Sequence, residues 1–153
     1  MLMFPLTNIG DITHVIQLAV APVFLLTAIG TLLGVLTNRL GRAVDRSRVL
    51  EKFIEELARV GSNEPRRDEA HGELLLLAQR IRLVYTAIVL AVLAALFICL
   101  LIAIAFVDAF IAANLAKALG ALFVLAMAAM VGCLLVFLRE IFLAVASARR
   151  AIH

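Results

Sequence analysis

Three apolar runs without a charged side chain divide this sequence, at residues 12–38, 83–107 and 118–138. A helix rises about 1.5 Å per residue, so about 20 apolar residues cross the roughly 30 Å hydrocarbon core of a bilayer. Each run meets that length. In lipid every backbone N–H and C=O must be paired within the protein, and a helix does this within one segment. The chain therefore reads as all-α, an integral membrane protein with three transmembrane helices. Its 65% share of hydrophobic residues agrees, against about 45–50% in soluble domains. Three spans leave little room for a separate soluble catalytic domain, so residues 1–153 read as a single membrane domain. The first run is expected to be a permanent span. Met1 to Gly10 carry no Lys or Arg, and the run is longer than the roughly 7–15 apolar residues of a signal peptide.

Basic residues set the expected orientation, because short loops rich in Lys and Arg stay on the cytoplasmic side. Segment 39–82 holds ten of the fourteen: Arg39, Arg42, Arg46, Arg48, Lys52, Arg59, Arg66, Arg67, Arg80 and Arg82. Arg139, Arg149 and Arg150 follow the third run, and only Lys117 lies elsewhere. Thirteen against one places segment 39–82 and the C-terminus in the cytoplasm, with the N-terminus and the turn around Asp108 to Lys117 outside. The net charge of +3 then belongs to membrane topology and to anionic lipid headgroups. It is no signal for nucleic acid.

Between the first two runs the pattern changes to an amphipathic one. Leu40, Ala43, Val44, Ser47, Leu50, Ile54 and Leu57 recur at helical spacing, while Arg46, Arg48, Glu51, Lys52, Glu55, Glu56 and Arg59 occupy the other faces. Glu55 and Arg59 are spaced as a favourable i,i+4 pair. The first helix is expected to run on to about Val60. Gly61 to Pro65 then supply stop and start chemistry. Leu74, Leu77, Ala78, Ile81 and Tyr85 continue a stripe into the second run. Helices 1 and 2 should thus extend into a cytoplasmic antiparallel helical hairpin over about 39–82.

The stretch APVFLLTAIGTLLGVLTNRLGRAVDRSRVLEKF, Ala21 to Phe53, resembles the signature of a bacterial family of three-span membrane proteins, domain of unknown function family 2721. Asn38, Arg39, Arg42, Asp45, Arg46 and Arg48 carry the most specific part. The resemblance implies the fold and a place in the bacterial inner membrane, and no activity.

Three groups of residues stand out as candidate sites. Arg39, Arg42, Asp45, Arg46 and Arg48 form a juxtamembrane charge cluster, with Asp45 spaced to pair with Arg42 or Arg48. Such a cluster can anchor topology and hold lipid phosphates, or it can form an intersubunit network or a cationic ring at a pore mouth. Gly30 and Gly34 on the first span, and Gly120 and Gly132 on the third, are spaced for close helix packing, within one subunit or between two. Asp11, His14 and Gln17 could line an outer vestibule, although Asp11 and His14 sit near the interface, where solvation is easy. Thr27 and Thr31 can hydrogen-bond their own backbone.

Cys99 and Cys133 lack the spacing of a metal or redox motif and read as packing residues. His14, His71 and His153 are too dispersed to share a metal, and no HExxH, GxSxG, P-loop or GxGxxG occurs. No cofactor, metal site or catalytic residue is expected. The leading expectation is a non-enzymatic homo-oligomeric membrane scaffold or accessory subunit, with anionic lipids and a membrane-protein partner as its contacts. The rival is a small oligomeric ion channel lined by the first span.

Overall fold

A computed structural model describes residues 9–60, 64–111 and 115–150, with side chains for 20–59, 65–66, 68–108 and 115–145. Helix α1 spans Ile9–Val60, α2 Glu64–Ile111 and α3 Ala116–Arg150. Their 52, 48 and 35 residues correspond to about 78, 72 and 52 Å. No strand occurs among the described residues. Each helix is long and apolar enough to cross a membrane, and three such spans make this a multi-pass membrane protein. α1 continues without interruption past its apolar run to Val60. Pro22 lies inside it, as is tolerated in spans where neighbouring groups satisfy the freed carbonyl.

The buried residues follow a seven-residue repeat. On α2, Ala70, Leu77, Val84, Ala91 and Ile98 are buried, with Ala87 and Ala94 between them. On α1 the same interval joins Ile29, Leu36 and Leu50, passing through half-buried Ala43. On α3 it joins Ala126, Cys133 and Glu140. A sustained repeat of seven keeps one narrow seam of a helix facing its neighbours. Elsewhere the helices face outward: 17%, 22% and 11% of the three apolar windows is buried, so most of each span is left for lipid or for another chain.

The chain divides into two compact units, Met1–Leu32 with Ala91–Val131, and Leu33–Leu90 with Gly132–His153. Every helix contributes to both. In the first unit the buried side chains among the described residues are small or aliphatic: Pro22, Ile29, Ala91, Ala94, Ile98 and Ala126. The Thr27 and Thr31 hydroxyls donate to the carbonyls of Val23 and Thr27 at 3.2 and 3.1 Å. At the start of α3 the Leu115 amide donates to Asp108 Oδ1 at 3.1 Å, and the Leu119 amide to the Leu115 carbonyl at 3.0 Å. Asp108 thus satisfies an N-terminal amide that has no partner within its own helix.

In the second unit the α1 and α2 extensions pack through Leu50 and Ile54 against Ala70 and Leu77, with Leu74 alongside. The stripe expected on α2 is partly displaced. Ala78 and Tyr85 are exposed, and Val84 and Ala87 take the inward positions. Steps of four (77, 81, 85) drift off a seam that advances seven residues per two turns.

Candidate functional site

The inward seam of each helix delivers one charged residue close to the end of its apolar run. On α1 it passes Leu36 and reaches Arg39; on α2 it passes Leu77 and reaches Arg80; on α3 it passes Cys133 and reaches Glu140. All three belong to the second unit. The Glu140 side chain is only 2% exposed. Arg39 Nη1 donates to its Oε2 at 2.8 Å, while Arg80 donates to Oε1 from Nη2 at 3.1 Å and Nε at 3.4 Å. The Arg39 guanidinium also lies 5.1 Å from the centre of the Phe137 ring, a cation–π distance.

Removing a carboxylate from water is costly unless its oxygens are paired. Here both oxygens have a cationic donor, and among the described residues no buried side-chain N or O lacks a hydrogen bond. Two guanidinium groups against one carboxylate leave one positive charge in excess. Arg39 and Arg80 keep about a third of their surface exposed, 32% and 28%, so that excess is partly solvated.

A second pair lies further along the extensions, where Arg46 donates to Glu73 Oε1 from Nη2 at 2.9 Å and Nε at 3.2 Å. Both partners are exposed. The Arg59–Glu55 pair forms at 3.4 Å, at the spacing the sequence offers. Asp45 and Arg48 are exposed and make no ion pair among the described residues, so the Arg42–Asp45 and Asp45–Arg48 contacts are not formed. Arg42 is likewise exposed and unpaired among the described residues. It nevertheless lines a half-open cleft of about 370 Å³ with Arg39, Ala43, Arg46, Leu77, Arg80 and Ala144.

The glycines separate into two kinds. A Cβ on Gly132 would lie 3.5 Å from Leu90 Cδ1, in ordinary contact within the second unit. A Cβ on Gly30, Gly34 or Gly120 would meet nothing within 4 Å among the described residues. Asp11, His14 and Gln17 belong to α1 by backbone, but their side chains lie outside the described residues. Cys133 is buried and Cys99 exposed. Among the described residues no group of three His, Cys, Asp or Glu side chains could hold a metal ion.

Sequence reasoning missed Glu140 as the hub. Its signal was present: Glu140 is the lone acidic residue of α3, seven positions beyond Cys133. The apolar run stops at Leu138, two residues short of Glu140, whereas the heptad position places Glu140 inside the seam. A model of one family, described as a protein of unknown function, matches residues 19–150. No curated protein and no solved structure matches the chain.

Proposed function

Since the chain belongs to the DUF2721 family of proteins of unknown function, we propose that it is a non-enzymatic, homo-oligomeric membrane scaffold or accessory subunit. One observation carries the reading: the small-residue notches at Gly30, Gly34 and Gly120 face open space. In lipid, helices associate through close packing at small residues rather than by a hydrophobic driving force. Notches that no described residue fills are available to a second copy.

The proposed setting is a bacterial inner membrane, with the α1 and α2 extensions and the C-terminus in the cytoplasm. The thirteen-to-one distribution of basic residues supports that orientation. The rival is a pore lined by the first span, with an outer vestibule at Asp11, His14 and Gln17, whose side chains lie outside the described residues. No observed geometry favours it.

The test is the mass of the complex in nanodiscs, for the native chain and for Gly34→Leu. A multiple of the 16.6 kDa chain that falls to the single-chain mass in the variant is the expected result. A native chain that stays monomeric at every protein-to-lipid ratio sinks the proposal. A stable oligomer that conducts ions in planar bilayers replaces it with the channel.

A further inference from the structure

We propose that the arginine-lined cleft of the second unit binds a phosphate group carrying close to two negative charges, supplied either as the phosphomonoester of a lipid headgroup or as free phosphate. It rests on the reading above only for the side of the membrane it faces; the oligomer could fail without affecting it.

The charge balance sets the ligand class. Four guanidinium groups line the cleft, from Arg39, Arg42, Arg46 and Arg80. Two carboxylates engage them: Glu140 with Arg39 and Arg80, and Glu73 with Arg46. Four minus two leaves an excess of +2. A phosphodiester carries one negative charge, whereas a phosphomonoester approaches two at neutral pH, its second pKa being about 6. The monoester is the better match.

Donor geometry agrees. A guanidinium has five N–H groups. Arg39 donates to Glu140 through Nη1, and Arg46 and Arg80 donate to their carboxylates through Nε and Nη2. Arg42 has no ion-pair partner among the described residues. Free N–H edges therefore remain around the cleft, and phosphate oxygens suit them as bidentate acceptors. Glu140 and Phe137 hold Arg39 in place before any ligand arrives, which lowers the entropy lost on binding. At about 370 Å³ the cleft is at the small end of ligand sites, suited to one headgroup rather than to a polymer.

The level is also right. Arg39 is the first residue beyond the first apolar run, Arg80 lies three before the second, and Glu140 lies two beyond the third. That is where headgroup phosphates lie.

The full chain in detergent, titrated with dioleoyl phosphatidic acid or dioleoyl phosphatidylglycerol and read by native mass spectrometry, reports oligomer mass and bound lipid together. The monoester lipid should bind about tenfold more tightly than the diester, the scale of one added charge-assisted contact. Arg42→Gln should remove that preference with melting temperature and subunit mass unchanged, Arg42→Lys should keep part of it, and Arg66→Gln, distant from the cleft, should keep all of it. Inorganic phosphate that displaces the lipid, or that alone raises the melting temperature of the native chain but not of Arg42→Gln, identifies the phosphate itself as sufficient. A monoester preference that phosphate does not disturb identifies the lipid. Equal affinity for the two lipids with no stabilisation by phosphate overturns the proposal, as does a preference that survives Arg42→Gln. A monomer that retains the preference counts against the scaffold alone.

Discussion

Glu140 and Glu73 are both carboxylates held by arginine, yet their surroundings give them different weights. Glu140 is 2% exposed and Glu73 45%. Removing one partner of a buried charged pair costs about 3–5 kcal/mol because the other is left uncompensated. Arg39 and Arg80 reach some solvent, so Glu140→Gln should cost about 3 kcal/mol, the lower end of that range. Glu73→Gln should cost less than about 1 kcal/mol, as exposed pairs do. Thermal unfolding in detergent, followed by helicity, compares the two; equal losses would remove Glu140 from its role as hub. Arg39 is correspondingly a poor probe of surface charge, since neutralising it also strips Glu140 of a donor. Arg42 serves that purpose. The cysteines give a second contrast. A lipid-soluble maleimide should modify exposed Cys99 well before buried Cys133, and the order is read from the labelled peptides.

Seam position matters more than hydrophobicity for single helices. Leu75 and Leu77 are the same residue type two positions apart, but Leu77 is 6% exposed and Leu75 69%. Leu77→Ala should lower stability by about 2 kcal/mol, the lower limit for a core leucine. Leu75→Ala should stay within about 0.5 kcal/mol. Ala94 has no exposed surface, so Ala94→Leu should overpack the first unit and cost about 1–3 kcal/mol. The α1 extension was legible in sequence because Leu50 and Ile54 stand among charged residues, whereas on α2 Leu74 and Leu77 were picked out of a run of four leucines by helical spacing alone. Within the apolar runs nearly every position is hydrophobic. That uniformity hid the seam, and a stripe drawn through Tyr85 missed Val84 and Ala87.

For the whole molecule, the two kinds of glycine predict two kinds of failure. Gly132→Leu should disturb the fold of the chain itself, because a Cβ there would already touch Leu90 and the rest of the leucine side chain would need space beyond it. Gly34→Leu should leave the melting temperature of the single chain unchanged and weaken association between copies. A drop in single-chain stability for both variants would mean that Gly34 packs within the chain. Orientation is tested separately: a Ser62→Cys variant lacking Cys99 and Cys133 should be labelled by a membrane-impermeant thiol reagent only from the cytoplasmic face.

The all-helical class, the three spans, the length of α1 and the Glu55–Arg59 pair were determined by sequence alone. Each rests on local physics: backbone hydrogen bonds that lipid does not replace, the rise of a helix, and side chains one turn apart. Tertiary structure decided which charges meet. Arg39 and Glu140 are 101 residues apart, and their pairing depends on the rotation of two helices about their own axes. A nearly uniform apolar surface leaves that rotation undetermined until the seams pack. For the same reason the juxtamembrane arginines, alike in sequence, became a clamp on buried Glu140 at Arg39, a surface pair at Arg46 and, among the described residues, an unpaired cation at Arg42.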